Sequence, residues 1–534
     1  MTKLKYLFFS IAFLSLFTNC AKRGTISGGV KDTIAPKIVS SNPENYSTNF
    51  KGNSIKINFN ELIKVKDITK QLIISPPLKN KPIIVPQGSA SKFISIKITD
   101  TLQENTTYSF NFGQSIADNN ENNPYSQFKY VFSTGSLIDS LTVVGKIKDA
   151  YNQKPDNFVS VLLYDAKTYT DSTVYKETPL YITNTLDSLK FFSLENLKEG
   201  SYRIIALKDL ANNNKFDPKS DKIAFMKEAI TLPTETLFEM ELFKEVLPFK
   251  AEKPIQESNN KLYLGFQGDP KNLKVSATNK GTTIPIRVTK FPEKATDSLQ
   301  LFFPEMAKDS ITFTLEKEQY RKEFTTKIKN FKVSDSISIS NNTGAILSFR
   351  NPLVLKTKTP IDKIDNSKIS ITKKDKKQVE FTSKYDEFNQ EIQLDFPKEE
   401  QQNYKIQILP AAFEDFYKRQ NDTIKFDVST KLISDYGNLK VKLIGAKKFP
   451  IIVELLDEKS TVLYRESITK NEPILFDSIE PQLYTLRIIY DENDNQEWDT
   501  GNFLEKKQAE EIIYFPKLID VRANWDVEQE FELD

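Results

Sequence analysis

Histidine is absent from this chain of 534 residues, and cysteine occurs once, as Cys20. Without imidazole there is no Ser-His-Asp or Cys-His catalytic group, no zinc site of the usual histidine-containing kind, and no side chain that titrates unperturbed near neutral pH. A single cysteine also excludes a disulfide within the chain. The common serine and cysteine hydrolases and the histidine-ligated zinc enzymes are therefore excluded before any motif is considered.

Several sequence motifs of enzymes are missing as well. The chain contains no GxGxxG, GxxxxGK[ST], HExxH or GxSxG. Paired carboxylates and Ser-Lys arrangements remain possible in principle, but neither leaves a signature here. We therefore expect a protein that is not an enzyme, with a hydrolase that uses only carboxylates as a remote alternative.

An excess of charge of either sign is also lacking. The chain has 74 Lys and Arg against 72 Asp and Glu, and removal of the N-terminal leader would take away Lys3 and Lys5 and no acid. Proteins that bind nucleic acid need a positive surface to neutralise phosphates. The balance predicts no nucleic-acid partner.

The N-terminal leader has the parts of a secretory signal: Lys3 and Lys5, an apolar run from Leu7 to Phe17, and a short polar step into Cys20. The apolar run is too short to span a bilayer as a stable helix, and no later stretch approaches the ~20 residues needed. Phe17-Thr18-Asn19-Cys20 resembles a bacterial lipobox, which implies cleavage before Cys20 and a lipid on its thiol. A conventional secretory signal with a cysteine near its cleavage point is the alternative.

Short β-strands are predicted nearly throughout the mature chain. Runs rich in Ile, Val, Phe, Tyr and Thr alternate with polar residues and are separated by Asn, Asp, Pro and Lys, as in residues 54–60, 92–99, 107–113, 128–134 and 160–165. No amphipathic helix of four turns is evident. This pattern predicts an all-β protein of tandem antiparallel β-sandwich domains.

An internal repeat organises the chain. Four segments in the first half have counterparts in the second half in the same order: residues 108–120 match 404–416, 128–134 match 424–430, 159–165 match 451–457, and 197–218 match 479–500. The matches place Tyr202 opposite Tyr484 and Asp209 opposite Asp491. The chain is thus predicted to contain an A-B pair, a spacer and a second, diverged A-B pair.

Two resemblances give these units a fold. The phrase from Asp32 to Phe50, the Phe59-x-Glu61 run and Asp67 resemble the bacterial Ig-like domain of the S-layer type, called Big_5, although the later loop 116–128 lacks that family's glycine. The start and the end of the chain also look like those of bacterial Ig-like-domain lipoproteins of unassigned activity.

The B units resemble transthyretin-like or carboxypeptidase-regulatory-like sandwiches, with Gly145, Asp149, Gly200 and Tyr202 at the matching positions. The second copy has Pro481 and Gln482 near the expected glycine, so its turn must differ. The predicted divisions are a signal peptide (1–19), a tether (20–33), an Ig-like domain (34–136), a transthyretin-like or CNA-B-like sandwich (137–246), a β-rich spacer (247–335), a second Ig-like domain (336–432) and a second transthyretin-like sandwich (433–534).

Two acidic loops are candidate metal sites. The second copy places oxygen-bearing side chains at alternating positions, followed by a further acid, an arrangement that suits calcium. The first copy follows the pattern less closely, and neither loop has the glycine and the glutamate of an EF-hand. An Asx-rich turn, in which these side chains bond their own backbone, is the alternative. The candidate ligands are Asp491, Asn493, Asn495, Asp499, Asp209, Asn213 and Asp217.

The expected function is inferred from the lipid anchor on Cys20 and from the predicted β-sandwich domains. We expect a lipid-anchored cell-envelope protein, most simply at the outer membrane with its face undecided, that acts as a non-enzymatic structural or interaction module. The expected partners are the membrane, through the lipid on Cys20, and an envelope protein or a glycan. A glycan-binding or adhesive surface lipoprotein is the main alternative, and exposed, coplanar aromatic rings would favour it.

Overall fold

The computed structural model describes residues 32–186, 190–291, 297–306, 309–331 and 337–533. Its regular structure is almost entirely β-strand, since the described helices are one-turn elements. They are the α-helices Ile68–Gln71 (α1) and Thr173–Lys176 (α2) and the 3-10 helices Asn366–Lys368 and Ile433–Asp435. The predicted all-β fold of tandem antiparallel β-sandwiches is confirmed.

Unit 1 contains strands β1 to β8 and pairs a five-stranded sheet, ordered β1-β2-β5-β4 with β7 beside β2, with a second sheet ordered β3-β6-β8. The strands are Ile38–Asn42 (β1), Ser54–Val65 (β2), Ile73–Ser75 (β3), Ile83–Val85 (β4), Ser91–Lys97 (β5), Thr107–Asn111 (β6), Ile116–Asp118 (β7) and Lys129–Ser133 (β8).

Unit 2 contains strands β9 to β16 and pairs a sheet ordered β11-β10-β13-β14, with β15 beside β13, with a sheet ordered β12-β9-β16. The strands are Leu141–Asp149 (β9), Ser160–Asp165 (β10), Tyr181–Asn184 (β11), Phe191–Leu197 (β12), Gly200–Lys208 (β13), Lys222–Phe225 (β14), Ile230–Leu232 (β15) and Leu237–Leu242 (β16).

Unit 3 contains strands β17 to β25, in sheets ordered β17-β19-β23-β22, with β18 beside β19, and β21-β20-β24-β25. The strands are Lys250–Ala251 (β17), Ile255–Ser258 (β18), Lys261–Gln267 (β19), Lys274–Asn279 (β20), Thr282–Ile284 (β21), Arg287–Lys290 (β22), Ser298–Phe302 (β23), Ser310–Lys317 (β24) and Tyr320–Lys327 (β25).

Unit 4 contains strands β26 to β34, in sheets ordered β26-β27-β31-β30 and β29-β32-β34 and a pair β28-β33. The strands are Ile339–Asn341 (β26), Leu353–Thr357 (β27), Ile361–Ile364 (β28), Ile369–Lys373 (β29), Thr382–Asp386 (β30), Glu391–Asp395 (β31), Asn403–Ile408 (β32), Phe413–Asp415 (β33) and Ile424–Ser429 (β34).

Unit 5 contains strands β35 to β42, in sheets ordered β37-β36-β39-β40, with β41 beside β39, and β38-β35-β42. The strands are Gly437–Ile444 (β35), Ile451–Leu456 (β36), Val462–Ile468 (β37), Ile474–Ile479 (β38), Gln482–Tyr490 (β39), Ile512–Tyr514 (β40), Ile519–Val521 (β41) and Asp526–Glu532 (β42).

The internal repeat is visible in the topology. Units 2 and 5 share one strand order, including a first strand that pairs in parallel with the last. In both units a tyrosine of the long central strand donates its hydroxyl to the carbonyl four residues earlier: Tyr202 to Lys198 at 2.9 Å and Tyr484 to Glu480 at 2.5 Å. Units 1 and 4 correspond strand by strand, except that β2 of unit 1 is replaced by the two strands β27 and β28.

Gly145 shows why the first strand of unit 2 carries a glycine. A Cβ atom there would lie 2.4 Å from the Phe238 carbonyl oxygen and 2.5 Å from the Phe192 ring. Any larger residue would therefore push β9 away from its neighbours β12 and β16.

Each unit has its own hydrophobic core, spanning residues 50–132, 143–242, 251–328, 347–428 and 439–533. A sixth cluster covers the outer face of the β10 sheet and draws Ile73 from unit 1 and Phe503 from unit 5. Strand β10 is therefore buried at five consecutive positions, and the expected alternation is wrong there because both of its faces are covered. The exact domain boundaries given above stay predictions.

Candidate functional site

The lipid attachment point, Cys20, lies outside the described residues, as do the tether residues that follow it up to position 31. In the part of the chain that is described, no helix has the length and apolar character needed to cross a membrane.

The second acidic loop follows β39 and is closed by its own backbone. Asp491 is buried, and its two carboxylate oxygens accept hydrogen bonds from the N–H groups of Asn495 (3.1 Å) and Gln496 (2.8 Å). Asp499 accepts from the side-chain amides of Asn493 (2.5 Å) and Asn495 (3.3 Å). The structure thus brings the four predicted residues together, in the arrangement of an Asx-rich turn.

The first acidic loop follows β13 and is less complete. Asp209 is 7 % exposed, and its Oδ2 accepts from Asn214 N–H at 2.6 Å. Its Oδ1 is buried and has no hydrogen-bond partner among the described residues. Asn213 and Asp217 cap the N–H groups of residues two positions later, Lys215 and Lys219.

Burial shifts the pKa values of the charged groups in and beside the first acidic loop. Burial raises the pKa of the Asp209 carboxyl, against hydrogen bonds from Asn214 and its neighbours, and the charge of Asp221 raises it further. Lys244, whose ammonium is buried without a described hydrogen-bond partner, interacts electrostatically with Asp217 and Asp221.

Two buried acids that close these loops were missed in the sequence. Asp221 accepts from the N–H groups of Leu210 (3.1 Å) and Asp217 (2.9 Å). Glu510 accepts from the N–H groups of Glu492 (2.7 Å) and Asp499 (2.9 Å). Both residues lie outside the acidic segments that drew attention in the sequence. No motif in the sequence links either acid to its loop. Across the described ranges, no group of three or more Asp, Glu, His or Cys side chains is placed to hold a metal ion.

Residues 491–511 of unit 5 contact unit 2 at several points. Phe503 is 1 % exposed and packs edge-on against Phe225 and Phe216, with ring centroids 5.4 and 6.4 Å away. Trp498 donates its Nε1–H to the Glu510 carbonyl at 2.9 Å and packs on Tyr151, with centroids 4.8 Å apart. The tryptophan therefore joins two units, which the sequence could not show.

Backbone contacts fix the same loop on unit 2. The Thr500 hydroxyl donates to the Lys244 carbonyl at 2.7 Å, and the Phe503 N–H donates to Glu245 at 2.6 Å. Gly501 is required by the close approach, because a Cβ atom there would lie 2.7 Å from the Phe243 ring.

A buried ion pair of unit 5 also contacts unit 2 at this interface. Arg487, which is 1 % exposed, donates its Nε–H to Glu454, which is fully buried, at 2.7 Å. Its remaining N–H groups donate to the Tyr151 hydroxyl (3.0 Å), the Tyr151 carbonyl (3.2 Å) and the Tyr514 hydroxyl (2.9 Å). The guanidinium also lies 4.4 Å from the centre of the Tyr151 ring. Arg465 donates to the other carboxylate oxygen of Glu454 at 2.7 Å.

Burial alone would lower the pKa of the Arg487 guanidinium. The hydrogen bond with Tyr151 and the charge of Glu454 outweigh it and raise the pKa above its usual value. Arg487 is therefore a permanent cation, and its charge is matched inside the interface.

The repeat shows that this ion pair is specific to unit 5. Glu454 and Arg487 are directly opposite on β36 and β39, and the same cross-strand position of unit 2 holds Leu162 and Ile205. A buried ion pair is weak evidence for stability, since apolar residues of similar volume often serve as well. Its position at a contact between units points to a role in fixing how those units dock.

Among the described residues, the near-parallel ring pairs belong to the sandwich cores and form no exposed platform. The near-parallel ring pairs among the described residues are Tyr108–Phe132, Phe112–Phe128 and Phe249–Phe266, and each includes a buried ring. Their spacing reflects core packing within a sandwich.

Known structures resemble the chain only distantly. The S-layer protein SbsC aligns at 12% identity and a TM-score of 0.15, covering 91% of this chain and 67% of its own. BcpA, the major pilin subunit of Bacillus cereus, aligns at 10% identity and a TM-score of 0.16, covering 74% of this chain and 99% of its own. The BSP domain of a biofilm associated protein aligns at 8% identity and a TM-score of 0.14, covering 76% of this chain and 99% of its own. TM-scores this low do not support a shared domain arrangement or a shared function.

Sequence comparison identifies one unit. No curated protein matches the chain. Residues 32–134, which contain all strands of unit 1, match the family model of the bacterial Ig-like domain. That part of the expected resemblance is confirmed: unit 1 is similar in sequence to the bacterial Ig-like domain.

Proposed function

We propose that this chain is a lipid-anchored, non-enzymatic protein of the bacterial cell envelope that acts as a structural or interaction module. The observation that carries the proposal is the docking of unit 5 on unit 2 through Arg487, Glu454 and Tyr151. Arginine, glutamate and tyrosine are residue types that often act in catalysis, but here these three side chains bond one another and hold two sandwiches together. A fixed arrangement of sandwiches suits a protein whose task is to present surfaces at set positions.

Units 2 and 5 are proposed to be transthyretin-like sandwiches and unit 4 a second Ig-like domain. The support is the common strand order of units 2 and 5 and the strand-by-strand correspondence of units 1 and 4. Function does not follow from these folds alone.

The anchor is proposed to be a lipid on Cys20, held in the outer membrane. Expression of the full chain in a bacterium with a radiolabelled fatty acid tests this directly. We expect label and membrane fractionation for the wild type, loss of both for Cys20→Ser, and retention of both for the control Lys22→Gln. A Cys20→Ser protein that stays labelled and membrane-bound would contradict the anchor. Protease treatment of intact cells then reports which face of the membrane carries the protein.

Calcium at the acidic loops is a second proposal, and it is better supported at the first loop. The buried Oδ1 of Asp209 lacks a hydrogen-bond partner among the described residues, and a cation would satisfy it. Calorimetry of the soluble chain with calcium should show binding that Asp209→Asn weakens and Asp491→Asn affects less. If calcium produces neither heat nor a change in melting temperature, the loops do not bind calcium.

A further inference from the structure

A cleft of about 660 Å³ lies between units 1 and 2. Unit 1 contributes residues 76–80, 99–101, 103 and 108, and unit 2 contributes the end of β10 and the segment that connects it to β11. The volume is within the range of small-molecule sites in proteins. The cleft is separate from the contact between units 2 and 5, because Arg487 and Glu454 do not line it.

Two tyrosines that line this cleft have unsatisfied hydroxyl groups. Tyr164 is 3 % exposed and Tyr169 is half-buried, with ring centroids 5.6 Å apart. Neither hydroxyl has a hydrogen-bond partner among the described residues, although both are buried. A buried hydroxyl without a partner destabilises the fold. Two of them in one cleft indicate a molecule that completes their hydrogen bonds.

Both tyrosines act as hydrogen-bond donors. Burial raises the pKa of each phenol, so both remain protonated across the physiological range. The Tyr108 hydroxyl, on the unit 1 side, accepts a bond from the Gln103 N–H at 2.9 Å. An occupant must therefore offer acceptor oxygens to Tyr164 and Tyr169.

The internal repeat shows that the fold does not require these features. Tyr164 in the segment 159–165 matches Leu456 in 451–457, which is buried and apolar. The strands that follow are joined by residues 166–180 in unit 2 but only by residues 457–461 in unit 5. The longer connection carries Tyr169, Thr173 at the start of helix α2, and Glu177, which line the cleft. Unit 2 thus departs from its copy at the residues that build this wall.

The charged side chains that line the cleft limit the kinds of ligand that it can bind. Three carboxylates, those of Asp100, Asp165 and Glu177, line it against one ammonium, that of Lys79. An anionic ligand is disfavoured by this balance. A Lys or Arg side chain would pair with the carboxylates but has no acceptor for the tyrosine hydroxyls.

Sugar hydroxyls meet both demands, because each can donate to a carboxylate and accept from a phenol. We propose that the cleft between units 1 and 2 binds a neutral oligosaccharide, with Tyr164 and Tyr169 as donors and Glu177 as an acceptor. This site does not depend on the lipid anchor, so either proposal can fail while the other stands.

Calorimetry of the soluble full-length mature chain with a panel of neutral hexasaccharides of glucose (α- and β-linked) and of N-acetylglucosamine tests the proposal. We expect saturable binding of at least one of them. Tyr164→Phe and Glu177→Gln should each weaken it at least tenfold. The control Tyr484→Phe, which removes a hydroxyl already bonded to Glu480, should leave binding unchanged. A sulfated hexasaccharide and a lysine-rich decapeptide serve as charged comparators.

Thermal unfolding without sugar adds a second readout. Because the Tyr164 hydroxyl is unpartnered, Tyr164→Phe should keep or raise the melting temperature, whereas Tyr484→Phe should lower it. The proposal is overturned if no neutral hexasaccharide binds, if binding survives Tyr164→Phe and Glu177→Gln, or if only a charged comparator binds. A lower melting temperature for Tyr164→Phe would also overturn it, since the hydroxyl would then be satisfied within the chain.

Discussion

At the level of single residues, the pair formed by Glu454 and Arg487 makes the sharpest prediction. Glu454→Gln leaves Arg487 buried without its counter-charge, and we expect a loss of about 3–5 kcal/mol in the stability of unit 5. Glu528→Gln, which removes exposed ion pairs with Lys440 and Lys442 in the same unit, should leave the stability of unit 5 almost unchanged, because exposed ion pairs are screened by solvent. Both tryptophans lie in unit 5, so tryptophan fluorescence during urea unfolding reports this unit. Equal losses in the two variants would contradict the assignment.

Asp209 predicts a dependence of stability on pH. Its pKa is raised in the folded state, chiefly by burial, so the folded protein holds this proton more tightly than the unfolded chain. The stability this residue contributes is present at low pH and is lost as the pH rises through its folded pKa. In chelator, the stability of the wild type relative to Asp209→Asn should therefore fall as the pH is raised from the acidic range to neutrality. A difference that grows over this range in calorimetric scans would refute the prediction.

At the level of elements, the loop 491–511 is expected to be held by Phe503. Phe503→Ala removes a buried ring that contacts Phe216 and Phe225, and such truncations in cores cost about 3–5 kcal/mol. We expect faster proteolysis within the loop and a red shift of Trp498 fluorescence. Leu504→Ala is the matched control, since Leu504 is 58 % exposed and should tolerate the change. Identical proteolysis of the two variants would show that Phe503 does not hold the loop.

Elements were also the level that the sequence predicted well. The runs at 54–60 and 107–113 contain strand residues of β2 and β6, because alternation of apolar and polar residues directly reports a sheet with one buried face. The pattern was wrong for β10, whose second face is covered by residues from units 1 and 5. The acidic segments form loops after β13 and β39, and their role as metal sites stays a prediction. Asp221 and Glu510, which close these loops, were missed.

At the level of the whole molecule, the units are connected by more than the chain. Lys129 of unit 1 pairs with Glu195 of unit 2 at 2.6 Å, and Arg287 of unit 3 pairs with Asp362 of unit 4 at 3.1 Å. Lys431, which follows unit 4, pairs with Glu480 of unit 5 at 2.9 Å. Unit 5 then returns to unit 2, so the chain closes on itself instead of forming an open string. Sequence periodicity reports burial along one strand and carries no record of contacts between Tyr151 and Arg487, which are more than 300 positions apart.

The closure also explains why unit 5 differs from its copy. Unit 2 shows that a Leu162–Ile205 pair fits the position that Glu454 and Arg487 occupy in unit 5. Exchanging the ion pair for the apolar pair should therefore preserve the sandwich and remove the hydrogen bonds to Tyr151. The double variant Glu454→Leu/Arg487→Ile separates docking from folding.

Small-angle X-ray scattering of the mature soluble chain and this double variant tests the closed arrangement most directly. We predict that the wild type scatters as the compact closed structure. The double variant should have a larger radius of gyration, while its tryptophan fluorescence shows unit 5 still folded. An elongated wild type, or two proteins with the same radius of gyration, would contradict the closed arrangement of units 2 to 5.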